Sequence, residues 1–442
     1  MGSNGTLTSL HQNLFEQDNV VFPNNGILMP SPTSGNEEIL SLISSCNFVF
    51  TFTDPSESPS RQDLKRLHLT RLLTLVRSSK KALPEKLLSP LLSVVSLNLF
   101  RPLPNSCASD LPEEDDPLSA FSPAWSHLQI VYDILLRLVI TTETDVLRNH
   151  IDHSFLLKLL TLFQSEDRRE RESLKNVYHK LYTKFASERS FMSKSMNDVL
   201  LNYVFETQKN CEIAELLEIW GTIINAFTVP LKEEHKLFLM RVLIPLHKPK
   251  GVHMHHRQLA YCMVRFVPKE PMLGGVMVGG LLKLWPVTNC QEELLLIGEL
   301  KDLVENLEVD QHRKLALPLC TQVIKCINSW NSQVAERALY AWNNEQFVKM
   351  VSTAMAEVFP VIVEGMERNL KWHWSRNVRQ LTESVKVMLD DMDPVLYSRS
   401  LQDLKARELA ARQEDIKRWE KIELLATQNQ FISSRPCICV SN

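Results

Sequence analysis

The stretch Cys211–Lys250, CEIAELLEIWGTIINAFTVPLKEEHKLFLMRVLIPLHKPK, decides the fold class. Ile213, Leu217, Trp220, Ile224 and Phe227 recur at three- and four-residue steps, the period of a helix with an apolar face. Leu216, Ile219 and Ile223 draw a second apolar stripe about 100° around the same helix. The chain turns at Val229-Pro230, and an antiparallel helix follows that opens on Lys232, Glu233, Glu234, His235 and Lys236. A helix with two apolar stripes is either packed on both sides, as in a stacked array, or offers one stripe to a partner. With cations beside the second stripe, the surplus points to a groove for a peptide with apolar anchors and an acidic end.

Composition bounds the rest. At 442 residues the chain exceeds one compact core, so it forms several domains or an elongated repeat array. Only 12 glycines are present, and none falls between Asn36 and Trp220, where the turns and bulges of a β-protein would want them. The net charge of −3 is too near neutral to make nucleic acid or a membrane surface the main partner. The nine cysteines stand in apolar helical contexts with no CxxC, and read as reduced, intracellular core residues. No apolar run approaches the length of a transmembrane helix, and no basic-then-apolar leader opens the sequence.

Residues 1–45 read as a disordered tail, rich in Asn, Ser, Gly and Pro over most of their length. Helical patterning fills 46–426, interrupted by a solvated loop at 101–117. After Pro123, breaks fall at Glu166-Asp167, Glu188-Arg189, Val229-Pro230, Lys248-Pro249, Pro268 to Pro271, Trp285-Pro286 and Asn328 to Ser332. Two helices per about 40 residues is the size of a HEAT or armadillo unit, too small to bury its own core. The expected fold is therefore an all-α helical-repeat solenoid with a concave face. A long charged helix, 394–426, is expected to be solvated with one stripe packed on the last repeat, and 427–442 to be a flexible tail.

Catalytic signatures are weak. His253, His255 and His256 in VHMHH have no Cys or carboxylate at ligand spacing, so neither a metal nor a cofactor is expected. Gly274, Gly275, Gly279 and Gly280 in LGGVMVGGLL match no phosphate-binding loop and suit close helix packing. Acidic residues such as Glu215 and Glu218 read as solvated helix faces. Nothing supplies a nucleophile, a base and an orienting group together, so the chain is not expected to be an enzyme.

The runs IAELLEIWGTIINAFTVPLKEEHK, QLAYC (Gln258–Cys262), LLKLWPVTN (Leu281–Asn289) and QVAERALYAWNNE (Gln333–Glu345) resemble the B-prime regulatory subunits of protein phosphatase 2A. FTDPSESPSRQDLKR (Phe52–Arg66) and PAWSHLQIVYDILLR (Pro123–Arg137) resemble plant-type members, and the likeness covers roughly Cys46 to Ala426. It implies a non-catalytic subunit that docks on the phosphatase scaffold subunit and the serine/threonine catalytic subunit and selects phosphoprotein substrates. The alternative is a stand-alone peptide-binding adaptor that no longer assembles with the phosphatase. The resemblance further implies a pocket for Leu-x-x-Ile-x-Glu motifs at His179, Lys180, Tyr182, Arg189, Ile219, Ile223, Lys232 and His235. Where this chain has Lys180 the family usually has arginine, and where it has Arg168, proline. Lysine keeps the charge and loses the planar two-pronged donor.

Met1-Gly2-Ser3-Asn4-Gly5-Thr6 fits the pattern for myristate on Gly2. One acyl chain without a basic cluster gives only marginal membrane binding, so the expected location is cytoplasmic and nuclear with at most weak membrane association. Cys437 and Cys439 are candidates for a reversible acyl chain, whereas Ser441 and Asn442 match a prenylation signal poorly.

Overall fold

The computed structural model describes residues 32–50, 52, 58–79, 83–103, 122–206, 212–249 and 251–432. Every regular element among them is a helix, and no strand occurs. Two compact units emerge, the first within Met1–Leu99 and Ser126–Glu143, the second within Phe100–Trp125 and Thr144–Asn442. Gly2, Cys437, Cys439 and all but the first residues of the loop at 101–117 lie outside the described residues.

In the first unit α1 (Pro32–Ser45) packs on α2 (Pro59–Ser78) and α3 (Glu85–Leu99). Helical structure thus begins ahead of Cys46, inside the stretch that the sequence reading assigns to a disordered tail. Ile39, Ile43 and Cys46 explain the difference, because their spacing makes a short apolar stripe and all three are buried. Lys65 of α2 is buried as well. Its Nζ donates to Phe48 O at 2.6 Å and Asn98 Oδ1 at 2.5 Å, and burial lowers its pKa to about 8. α4 (Trp125–Thr141) is tied to α2 through His127 Nε2, which donates to Gln62 O at 2.9 Å.

The second unit runs through α5 (Thr144–Arg148), α6 (His153–Thr161), α7 (Arg168–Lys184), α8 (Arg189–Glu206), α9 (Ile213–Asn225) and α10 (Glu233–Phe238). It continues with α11 (His256–Phe266), α12 (Leu273–Lys283), α13 (Cys290–Glu305), α14 (Val309–Ile327), α15 (Ser332–Leu339) and α16 (Glu345–Ser352). α17 (Met355–Trp372), α18 (Arg376–Met392) and α19 (Pro394–Ile432) complete it. Side-chain caps fix several starts: Asp152, Asn289, Asn331, Asn344 and Ser375 each accept from a backbone N–H of the first turn.

The repeat is written in the hydrogen bonds. Arg171 reaches Glu215 across 44 residues, Cys262 reaches Leu217 O across 45, His256 reaches Glu299 across 43 and Gln311 reaches Pro271 O across 40. Each helix therefore rests on its counterpart one unit later: α7 on α9, α9 on α11, α11 on α13, α13 on α15 and α15 on α18. A helix clasped by its predecessor and its successor needs apolar residues on two faces, which is why α9 carries two stripes. Gly274 and Gly280 of α12 serve this packing, whereas Gly279 faces open space. A Cβ on Gly274 would sit 2.5 Å from Leu307 Cδ2, and one on Gly280 would sit 2.6 Å from Ile244 Cγ2.

Two elements depart from the sequence reading. The helix expected to run from Lys232 toward Lys250 is α-helical only through Phe238, then widens into a π turn over Leu239–Leu243 and tightens to a 3-10 turn at Pro245–His247. Pro245 has no N–H to continue the ladder, and Ile244 N bonds back to Leu239 O instead. The last helix extends past Ala426 to Ile432. Tyr397 and Leu404 are buried near its start, but every described side chain from Lys405 onward is exposed. The packed stripe is shorter than expected. No single described helix is long and apolar enough to cross a membrane.

Candidate peptide-binding site

Asp167 starts α7 by accepting from Arg169 N at 2.9 Å. Along the helix Arg171 Nε donates to Glu215 Oε1 at 3.0 Å, and Lys175 Nζ to Glu218 Oε2 at 2.5 Å. Gln258 of α11 donates to the other oxygen of Glu218 at 3.1 Å. These carboxylates are therefore not the solvated face that the sequence suggests: Glu215 is buried and Glu218 is the rung joining three helices. The register they set runs on. His179 lies two turns beyond Arg171 on α7, and Ile223 two turns beyond Glu215 on α9.

His179 and Tyr182 are half-buried, and Lys180 is exposed. Tyr182 Oη lies 3.2 Å from Ser193 Oγ of α8. Arg189 folds back over the end of α7, its guanidinium 5.7 Å from the centre of the Tyr182 ring. From there Nε donates to Tyr182 O at 3.0 Å and Nη2 to Thr183 O at 2.9 Å. A cation at these terminal carbonyls meets the negative end of the helix dipole, so Arg189 is held in place before any ligand arrives.

Charge accumulates on this half of α7. Burial holds the His179 imidazole below its ordinary pKa, and the ammonium groups of Lys180 and Lys175 push it further down. Lys184, one turn past Lys180, is lowered for the same two reasons, burial and then Lys180. Cations that depress one another's pKa favour an incoming anion. Lys184 is absent from the residues chosen on sequence, although its four-residue spacing from Lys180 marks it as the same face.

On α9, Ile219 and Ile223 are 1 % and 6 % exposed, and Leu216 is fully buried. The surplus that the sequence assigns to a groove is thus largely taken up by packing on both sides, and Ile223 keeps only a narrow edge at the surface. Trp220 stacks on Phe238 of α10, ring centres 4.0 Å apart. Phe227 stacks on His235 at 3.6 Å and 6°. Burial lowers the His235 pKa against the opposing pull of Glu234, and its Nδ1 is buried without a protein partner. Lys232 is exposed, 3.6 Å from Glu234. Lys269 fixes the end of α9 by donating to Asn225 O and Phe227 O at 2.8 Å each. The pocket residues thus fall into two contact groups, His179, Lys180, Tyr182 and Arg189 at the end of α7, and Lys232 and His235 at the start of α10 beside Phe227. Among the described residues no hydrogen bond, ion pair or ring contact joins the two groups.

The VHMHH run has a different outcome from the one its spacing suggests. His256 does find a carboxylate, supplied by Glu299 of α13: its Nε2 donates to Glu299 Oε2 at 2.9 Å, and His247 Nε2 donates to the same oxygen at 3.1 Å. All three residues are buried, with ligand-type atoms within 4.8 Å of one another. His247 Nδ1 also donates, to Ile244 O at 2.9 Å. With both ring nitrogens donating, His247 is a cation and has no lone pair for a metal. Against the cost of burial, the Glu299 charge raises the His247 pKa, and the two histidines hold the carboxyl down to about 2. This is an ion pair that clamps three segments.

Fold and site together define a helical-repeat protein of stacked helix pairs with a cationic, half-buried ridge. The model of the family "Protein phosphatase 2A regulatory B subunit (B56 family)" matches residues 27–426. The chain is 40 % identical over 397 residues to the B' beta isoform of the 57 kDa regulatory subunit of serine/threonine protein phosphatase 2A from Arabidopsis thaliana, covering 87 % of this chain and 79 % of that protein. It is 39 % identical over 405 residues to the B' kappa isoform from Oryza sativa subsp. japonica, covering 90 % and 79 %. The chain belongs to the B56 family of protein phosphatase 2A regulatory B subunits. It is a regulatory chain, not a catalytic one.

Proposed function

We propose that this chain docks on the scaffold and catalytic subunits of protein phosphatase 2A and selects phosphoprotein substrates for them by binding Leu-x-x-Ile-x-Glu motifs. The observation that carries the reading is the cationic end of α7, where Lys180 and Lys184 stand one turn apart beside His179 and Arg189 folds over the last carbonyls. An acidic motif end would offset the repulsion between Lys180 and Lys184 and draw His179 toward its charged form, and charged hydrogen bonds are the strong ones. Tyr182 and the exposed edge of Ile223 offer apolar contact to the motif's Leu and Ile, with His235 and Lys232 adding polar donors from the start of α10. The chain then works by effective concentration, holding a substrate near an active site that another subunit supplies. Cytoplasm and nucleus are the proposed locations, with myristate on Gly2 adding a weak membrane component; the intact mass of the amino-terminal peptide from the native host tests the lipid.

Calorimetric titration of the full chain with a Leu-x-x-Ile-x-Glu peptide, beside size-exclusion chromatography with both phosphatase subunits, tests the rest. Binding in both assays is expected. Peptide binding without co-elution would leave a stand-alone adaptor, and absence of peptide binding would remove the groove.

A further inference from the structure

Trp330 and Trp374 are one repeat step apart, 44 residues, and occupy the same interhelical turn in successive units. The two turns are stitched together. Trp374 Nε1 donates to Trp330 O at 2.9 Å, His373 Nε2 to Ser329 O at 3.0 Å, Asn369 Nδ2 to Ile327 O at 2.6 Å and Asn328 Nδ2 to Gly365 O at 3.1 Å. Arg379 adds bonds to the carbonyls of His373 and Trp374. Backbone so firmly held would normally let its largest apolar side chains pack inward. Here they point out: Trp330 is 78 % exposed, Trp372 68 % and Trp374 60 %.

The stretches that carry these rings are cationic. Arg368–Thr382 contains Arg368, Lys371, Arg376 and Arg379 and no Asp or Glu, and Thr321–Ala335 contains Lys325 and no acid. Lys371 Nζ lies 5.1 Å from the Trp372 ring centre, and Arg368 and Arg376 are exposed. Of the neighbouring carboxylates, Glu364 pairs with Arg407 and Glu367 with Lys386, each at 3.0 Å, while Glu336 and Glu383 follow directly after these two stretches. We infer that Trp330, Trp372 and Trp374, with Arg368, Lys371 and Arg376, form a second docking surface that takes an acidic peptide segment bearing aromatic or long aliphatic side chains. Exposed indoles clustered on rigid backbone are typical anchors of protein recognition, and the surrounding cations select for carboxylates between the anchors. A near-neutral chain with apolar contacts this prominent suits a peptide better than a nucleic acid.

The test uses the full chain and a fluorescein-labelled synthetic peptide in which Asp and Glu alternate with Phe and Leu, followed by anisotropy. One variant combines Trp330→Ala with Trp372→Ala, two rings whose indole N–H groups make no hydrogen bond among the described residues; the other combines Lys371→Glu with Arg376→Glu. Saturable binding to the wild type that weakens with salt, and a loss of about tenfold or more in each variant at an unchanged melting temperature, is the expected result. Unchanged affinity in either variant overturns the inference. Equal binding of a peptide with Gly in place of Phe and Leu, or displacement by an RNA homopolymer, overturns it in favour of general polyanion attraction. Binding to phosphatidylcholine–phosphatidylserine vesicles without binding to the peptide overturns it in favour of a membrane surface.

Discussion

Two histidine-bearing regions of one helical array use the same side chains to opposite ends. At the end of α7, His179 sits among like charges and is pushed toward its neutral form, half-open to solvent. In the clamp of α11 and α13, His247 sits fully buried against Glu299 and is held in its charged form. Burial disfavours the imidazolium in both places, and the neighbouring charge decides which form results. The first region has charge to offer a ligand, whereas the second has used its charge inside the fold.

The largest expected effect breaks the clamp. Glu299→Ala leaves a cationic His247 buried with no counter-charge, and should cost about 3–5 kcal/mol of stability, read as a lower midpoint in chemical denaturation. Glu299→Gln should cost less, because it keeps a hydrogen-bond acceptor, and its difference from wild type should depend on pH. The His247 pKa is raised, so its share of the stability is whole below the unfolded value near 6.5 and fades as pH rises through the folded value. The Glu299 pKa is lowered to about 2, so its share is whole above about 4.5 and fades as pH falls toward 2. The gap between wild type and Glu299→Gln should therefore be widest at about pH 4.5–6.5. Neighbouring His255, lowered to about 4 by burial and by the adjoining histidines, takes stability away as pH falls below about 6.5 in both proteins, chiefly through its own burial. A gap independent of pH would contradict the ion pair.

Smaller effects belong to α7. His179→Ala and Arg189→Glu should each weaken a Leu-x-x-Ile-x-Glu peptide by roughly 1–3 kcal/mol, about ten- to hundredfold, without changing phosphatase assembly. Calorimetry measures the first and co-elution the second. Ile223→Asp, which the sequence pattern alone recommends, is a poor probe, because a side chain 6 % exposed would disturb the stack as well as the groove. Lys184→Glu should match the first two and tests the residue that the sequence pattern alone did not single out.

Peptide affinity should also rise as pH falls from about 7.5 to 5.5. His179 and His235 are lowered in the free chain, and a bound carboxylate favours their charged forms, so binding takes up protons. Titrations across this range check the sign; a flat profile would detach both histidines from the motif's acid. Smallest of all, Lys180→Arg should tighten the peptide by about twofold, since a guanidinium can donate two parallel hydrogen bonds to a carboxylate.

Local pattern made the helices legible, together with their breaks at Asp167, Arg189, Pro230 and Asn331 and the unit of about 40 residues, because period and proline act within a few residues. The alternation of short helices without glycine also identified the repeat class before any contact was known. What it could not reveal is which faces touch. Ile219 and Ile223 read equally well as groove walls or as packing, and their burial follows only from α7 and α11 closing on α9 from both sides. Glu215 and Glu218 looked like solvated charges for the same reason. Their partners Arg171 and Lys175 stand 44 and 43 residues away, one repeat along the chain. A helix face has no sign in sequence until another helix is laid on it, and in a repeat array those neighbours come from the units before and after.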